Sequence, residues 1–193
     1  MNLSVITATR QRPAQLVHCL EQFRRQSFGQ VSCEHIVVSD GPDRVARHLA
    51  ERYAARYFEL SEARGHAGAF AKDLGIREAA GEYVCFWDDD NLFEPHALTT
   101  IFAAVHGADL GVVRVRHRLR KNVGIITIPR WWSGTPGFGD IDTMCVAVRR
   151  TLALKEPWGN EVPPPGTDYR WLKRLGTHNP RVRYVPIVIG MHL

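Results

Sequence analysis

Asp88, Asp89 and Asp90 stand side by side, directly after the apolar run Tyr83 to Trp87 and before Asn91. Adjacent carboxylates repel, so ionising all three is costly unless a cation or hydrogen-bond donors sit among them. Their hard oxygens suit Mg2+ or Mn2+, ions that commonly take one or two protein carboxylates and complete their shell with diphosphate oxygens. A solvated acidic turn is the competing reading. A further acid, Asp40, closes a second apolar run, His35 to Ser39, within the turn cluster Asp40-Gly41-Pro42-Asp43. Arg114, Arg116, Arg118, Arg120 and Lys121 form a basic run in which the even-numbered arginines share one strand face. Such a face could track phosphates of nucleic acid or of another anionic, lipid-linked partner, and it equally suits the solvated side of an edge strand. No RNA-recognition or helix-turn-helix signature accompanies it, so nucleic acid is not the expected partner. Cys19, Cys33, Cys85 and Cys145 include no Cys-x-x-Cys pair and read as reduced structural thiols.

Groups of this kind need a rigid frame. Short β-branched runs alternate with segments of helical period, the pattern of an α/β three-layer sandwich with a largely parallel central sheet. Leu3 to Ala8 is expected as a strand, and Pro13 opens a helix with Leu16, Leu20 and Phe23 on one face. After the strand His35 to Ser39, the residues Val45, Leu49 and Tyr53 predict the buried stripe of a second helix. A third helix is expected from Ala67 to Ala80 with Gly81 as its cap, then the strand Tyr83 to Trp87. Beyond Pro95, Leu98, Ile101, Phe102 and Val105 mark a fourth helix. Leu110 to Leu119 and Val123 to Ile128 read as a hairpin. The loop Pro129 to Asp140 could line a cleft, with Trp131 and Trp132 stacking on a bound ring or packing as core or lid. Met144 to Val148 reads as a strand, Pro163-Pro164-Pro165-Gly166 as a stiff loop, Thr167 as the N-cap of a helix through Leu175, and Tyr184 to Ile189 as the closing strand. Ligands bind outside the carboxyl ends of strands in open parallel sheets, so Asp40 and the aspartate triplet should face one crevice.

A chain of 193 residues with 45% apolar and 23% charged residues is sized for one globular domain, and no repeat or linker divides it. No segment approaches the roughly 18 uninterrupted apolar residues of a membrane span. The nearest, Ile101 to Val113, holds His106 and Asp109. Met1 to Arg12 lacks the pattern of a secretory signal, so a cytoplasmic location is expected, with peripheral membrane contact left open. The net charge of +5 suits an anionic partner without choosing among nucleic acid, a membrane surface and a phosphorylated small molecule.

Taken in order, Ser4-Val5-Ile6-Thr7-Ala8-Thr9-Arg10-Gln11-Arg12-Pro13, Ile36 to Gly41, Gly68 to Gly75, Gly81-Glu82-Tyr83 and Asp88-Asp89-Asp90-Asn91 with Pro95 resemble the successive signatures of family 2 glycosyltransferases with the GT-A (Rossmann-like) fold. The resemblance covers about residues 3 to 105. It continues more weakly through Ile141-Asp142-Thr143 with Arg149-Arg150, and through Thr167 to Leu172. It implies one GT-A domain over residues 1–193, with a nucleotide-sugar-binding half (1–105) and an acceptor-binding half (106–193). The implied activity is an inverting hexosyl transfer from a nucleotide-diphosphate sugar, a UDP-sugar favoured, to a hydroxyl of a saccharide or other acceptor, with Mn2+ or Mg2+ on the diphosphate.

The same resemblance assigns the nucleotide base to Thr9, Arg10 and Asp40, the metal to Asp90, and the ribose or assistance to the metal to Asp88 or Asp89. A carboxylate at 40 could accept the imide N–H of a pyrimidine. His192 could add a metal ligand, as a late histidine does in some GT-A enzymes, or be a surface histidine. His66 and Lys72 could help neutralise the diphosphate, or be a polar loop histidine and a solvated helix lysine. Asp168 matches the general base that must take the acceptor proton in an inverting transfer. A first-turn aspartate stabilising a helix dipole is the alternative for it. Thr167 stands where the family carries a second acid, a departure that keeps open a non-catalytic nucleotide-sugar-binding or scaffold protein of the same fold. A nucleotidyltransferase is disfavoured because Thr7 to Pro13 holds no glycine for a phosphate loop.

Overall fold

The computed structural model describes residues 1–119, 124–130, 132, 134, 137–160 and 166–193. Arg120, Lys121, Val123, Trp131 and the prolines 163–165 lie outside the described residues.

The apolar runs become strands because both of their faces are covered. All seven residues of β1 (Leu3–Thr9) are buried, and it pairs in parallel with β2 (Cys33–Ser39) on one side and β4 (Tyr83–Phe86) on the other. Alternation along the strands sorts the helices. Val37 of β2 packs with Leu16 and Leu20 of α1 (Pro13–Arg24) and with Ala46 and Ala50 of α2 (Arg44–Arg52), while Ile6 of β1, from the other pleat, meets Gly75 of α3 (Ala69–Glu78). Helices therefore cover both faces of the sheet. Pro13 opens α1 as expected.

Several local expectations fail for tertiary reasons. In α2 the buried residues are Ala46 and Ala50, Leu49 and Tyr53 are half-buried, and Val45 is 55% exposed. The helix is turned so that its alanines allow close approach to the sheet. A short edge strand, β3 (Arg56–Glu59), pairs in parallel with β2. None of its residues is fully buried, so it has no apolar run to announce it. Gly81 does not cap α3, which ends at Glu78 with Ala79 as its C-cap. Its N–H donates to Ser4 Oγ at 2.9 Å, and a Cβ there would come 2.7 Å from the Ser4 backbone nitrogen. Close contact with β1 therefore demands this glycine.

The remaining elements extend the sheet. They are β5 (Leu92–Phe93), α4 (Ala97–Val105), β6 (Leu110–Arg118), β7 (Ile125–Ile128), β8 (Val146–Arg149), α5 (Arg150–Ala153), α6 (Thr167–Gly176) and β9 (Val182–His192). Strand order is β3-β2-β1-β4-β8-β6-β9-β5, with β7 hydrogen-bonded to β6 as the expected hairpin. The first four strands are parallel. β8 runs antiparallel to both β4 and β6, and β9 lies parallel to β6. The expected strand from Met144 begins only at Val146, because Thr143–Cys145 form a 3-10 turn capped by Asp142, whose carboxylate accepts the Met144 N–H at 2.8 Å. Gly166 at φ +79° precedes α6, and Thr167 is its first helical residue rather than its cap. β9 continues beyond Ile189 and places His192 opposite His117 in the ladder.

Candidate functional site

Parallel pairing brings the carboxyl ends of β1, β2 and β4 to one edge of the sheet, and the ends of β6 and β9 reach the same place. A cleft of about 390 Å3 there is lined by Thr9, Arg10, Arg12, Asp40, Asp88 and Asp90, with His192 at its side. Asp40, Asp88 and Asp90 thus share a crevice, at the place the strand-end rule predicts. A second space of about 320 Å3 shares Ala67, Asp88 and His192 with the first and is walled by Lys72, Asp142, Thr167 and Asp168.

The three aspartates have three different environments. Asp88 is half-buried, with Lys72 Nζ 3.4 Å from its Oδ1. Asp89 is fully buried beneath the cleft. It accepts the Thr9 hydroxyl at 2.6 Å and faces Arg12 Nη2 at 2.6 Å. Burial pushes its carboxyl up to about 6 even against these donors. Asp90 is half-buried in the cleft wall, and its Oδ2 accepts from Arg12 Nη1 at 3.0 Å. Of the pair Asp88 and Asp89, only Asp88 lines the cleft, and Asp89 lies beneath it as the buried partner of Thr9 and Arg12. Arg12 itself was missed. Its sequence signal is a cation immediately before a helix N-terminus, a place where the helix dipole disfavours positive charge and a compensating acid is required.

Asp40 is buried and accepts backbone N–H groups from Arg64 and Gly65 at 2.7 Å each, with Arg10 Nη1 3.7 Å away. A carboxylate has about four acceptor positions, so these bonds leave it capacity on the cleft side. Lys72 is 5% exposed, which overturns the solvated-lysine reading. Its Nζ sits 5.2 Å from the centre of the Trp158 ring. Burial pulls its ammonium down, but Asp88, Asp168 and Asp142 outweigh it and hold the pKa above the usual lysine value. His66 is exposed, with its ring edge against Phe70, and does not line either space.

Asp168 sits in the first turn of α6. Burial and then the neighbouring Asp142 push its carboxyl up to about 6, against the opposing pull of Lys72. Asp142 is the second residue that sequence reasoning left without a role. It is 7% exposed, and burial raises its pKa. His192 Nε2 lies 3.6 Å from Asp142 Oδ2, and the His192 ring stacks on His117 at 4.5 Å and 8°. Among the described residues, ligand atoms of His117, Asp142 and His192 all fall within 4.8 Å of one another. His192 is thus a partly buried member of the cleft wall rather than a surface histidine.

The donor types in this cleft suit a divalent cation, while the ligand atoms that converge within 4.8 Å among the described residues are those of His117, Asp142 and His192. Asp88 and Asp90 offer carboxylate oxygens to one cleft and His192 an imidazole, and the guanidinium already resting on Asp89 and Asp90 marks the acid pair as a place that draws positive charge. Elsewhere, Trp132 stacks on Tyr184 at 6.1 Å, away from the two polar spaces. Arg114 Nε donates to the Pro129 carbonyl, and Arg116 and Arg118 are exposed on the pleat opposite His117. The cysteines are unpaired thiols. No helix among the described residues is long and apolar enough to cross a membrane.

The family described as glycosyl transferase family 2 matches residues 4–144. Among curated relatives, the glycosyltransferase GlyG of Streptococcus pneumoniae is 26% identical over 114 residues, which are 58% of this chain and 37% of GlyG. Among solved structures, TarS of S. aureus (residues 1–349) matches with a TM-score of 0.76 at 16% identity, covering 99% of this chain and 60% of the other, and a further TarS structure is a complex with UDP-GlcNAc. The mannosyltransferase PcManGT of Pyrobaculum calidifontis, in complex with GDP-Man and Mn2+, matches with a TM-score of 0.70 at 18% identity, covering 99% of this chain and 56% of the other. The fold is therefore GT-A, and the chain spans less than two thirds of the length of each of these proteins.

Proposed function

This chain belongs to glycosyl transferase family 2, and we propose that it moves a sugar, with inversion, from a nucleotide-diphosphate donor to an acceptor hydroxyl. The observation that carries the reading is a pair of adjoining spaces at the strand ends that share Ala67, Asp88 and His192, with Thr9, Asp40, Asp88 and Asp90 along one and Lys72, Asp142 and Asp168 along the other. The part beside Asp40 takes the nucleotide, and the part beside Asp168 takes the acceptor. Residues 1–105 would supply most of the donor site and residues 106–193 most of the acceptor site. A UDP-sugar is the donor we favour, because a carboxylate at Asp40 suits an imide N–H, and because a UDP-sugar occupies the similarly folded TarS.

The acceptor hydroxyl attacks the anomeric carbon from the side opposite the departing diphosphate while Asp168 takes its proton. A carboxyl held near 6 remains mostly ionised at neutral pH and is a stronger base than an ordinary aspartate. Lys72, buried and held charged by the surrounding acids, stabilises negative charge where the two parts of the cleft meet. Asp90 with Asp88 and His192 would hold Mn2+ or Mg2+, which would compensate the charge that develops on the leaving diphosphate. Arg10 lines the same space as Asp40, its Nη1 3.7 Å from Asp40 Oδ2, and would contact the base there.

The test pairs binding with turnover. Thermal shift with UDP, GDP or dTDP, each with Mn2+, Mg2+ or EDTA, should show a metal-dependent rise with UDP, because a ligand of the native state stabilises it by mass action. Asp168→Asn should keep that rise and lose transfer by at least about a hundredfold, the usual contribution of a general base. Transfer at the wild-type rate in Asp168→Asn would remove the base assignment. Nucleotide binding without transfer in the wild type would favour a binding or scaffold role.

A further inference from the structure

Among the described residues, Arg12 is the cleft side chain that forms ion pairs with two members of the aspartate triplet, and its two ends are held differently. The Nη2 end lies 2.6 Å from Asp89 Oδ1 as an ion pair, held there by the burial of that carboxylate rather than by an aligned hydrogen bond. Asp89 is fully buried, and its other oxygen accepts the Thr9 hydroxyl, so withdrawing the guanidinium would leave a buried carboxylate without its counter-charge. The Nη1 end, 3.0 Å from Asp90 Oδ2, is not locked, because Asp90 retains 43% of its side-chain exposure and can satisfy itself with water or another cation. A guanidinium is a planar fork of fixed donors that matches carboxylate and phosphate geometry equally well. A donor released by Asp90 would still face the cleft, which Arg12 lines together with Asp88 and Asp90.

We propose that Arg12 is a built-in counter-cation that occupies Asp90 until a divalent ion displaces it, and that the released end of its guanidinium then binds the nucleotide diphosphate, making metal and diphosphate binding mutually dependent. The inference rests on the reading that Asp90 is the metal ligand. Without a diphosphate, a metal ion must compete with an arginine already seated on its ligand and then share a cleft with it, two cations against one another. With a diphosphate present, the freed N–H groups find phosphate oxygens, and the anion offsets the repulsion. By linkage, whatever factor UDP contributes to metal affinity, the metal contributes to UDP affinity.

The experiment is a Mn2+ titration followed by the electron paramagnetic resonance signal of the free ion, on the full chain, with and without saturating UDP. Arg12→Lys keeps a positive charge for buried Asp89 but cannot bridge to Asp90, and Arg12→Gln removes the charge. Both should bind Mn2+ alone about five- to tenfold more tightly than wild type, the scale of one charge-assisted hydrogen bond discounted for exposure. Both should also show a smaller enhancement of Mn2+ affinity by UDP. Arg12→Lys is included because Arg12→Gln strips buried Asp89 and can destabilise the fold. Unchanged or weaker Mn2+ affinity in Arg12→Lys, or an enhancement by UDP equal to that of wild type, overturns the proposal. Asp90→Asn separates the two layers. If Asp90→Asn binds Mn2+ as wild type does, the metal assignment itself fails. If Asp90→Asn loses Mn2+ while Arg12→Lys binds it as wild type does, only the role of Arg12 fails.

Discussion

Replacing Lys72 by methionine removes the buried ammonium that faces Asp88, Asp142 and Asp168 while keeping most of the volume of the side chain. Asp168 stands near 6 because burial, then Asp142, push it up while Lys72 holds it down. A base must be deprotonated to work, so activity falls as pH drops through this value. With a pKa of about 6, the wild type should keep about a tenth of its plateau kcat/KM at pH 5 and about nine tenths at pH 7. A nearby opposite charge moves a carboxylate by about 1–3 units, and the acids that share Lys72 place the effect at the lower end. Lys72→Met should therefore carry the acid limb up by about 1 unit, leaving about half of its own plateau at pH 7 and about a hundredth at pH 5. Asp142→Asn removes a charge acting in the opposite sense and should move the limb down. The assay is UDP release at saturating Mn2+ over pH 4.5–8.5 (about 0.5-unit steps suffice), reading the position of the limb rather than the height of the plateau. A limb that stays in place in both variants, or moves the same way in both, refutes the electrostatic account of Asp168.

Two further outcomes test the frame that holds the site. A Cβ at Gly190 would run into the Leu92 carbonyl, across the β5–β9 pairing two residues before His192. Gly190→Ala should cost about 2–3 kcal/mol and lower Tm by about 4–12 °C in calorimetry, and a Tm within about 1 °C of wild type would show that the ladder yields there. Burial works against ionised Glu34, but the Ser4 hydroxyl, Arg56 and the Ala80 N–H outweigh it and hold its pKa below the usual value. A lowered folded-state pKa adds stability above the unfolded value and loses it as pH falls through the folded one. Glu34→Gln should thus cost about 1–2 kcal/mol in urea unfolding at pH 7 and progressively less below about pH 4, and a pH-independent difference would contradict the assignment.

The first half of the fold was legible because its strands are buried on both faces and therefore read as unbroken apolar runs, and because each ends in a turn that announces itself. Leu3 to Ala8, His35 to Ser39 and Tyr83 to Trp87 were readable without tertiary information, and the strands that formed there, Leu3–Thr9, Cys33–Ser39 and Tyr83–Phe86, end beside the crevice of Asp40, Asp88 and Asp90. β3 was hidden because a half-buried edge strand has no such run, and α2 was misread because Val45 and Ala46 sit equally well on a helical stripe until the sheet selects the smaller.

By itself, the sequence determined that an α/β sandwich carries a set of acids at the carboxyl ends of its strands, because strand period, turn chemistry and residue type are local properties. Which acid does what was decided only by the tertiary structure. Three adjacent aspartates are equivalent until Thr9 and Arg12 bury one, Arg12 bridges to the second and Lys72 takes the third. Asp142 and His117 entered the site only when β6 and β9 paired in parallel and brought His192 to His117. Charge, burial and proton affinity depend on neighbours supplied by distant segments, and those neighbours exist only once the chain has folded.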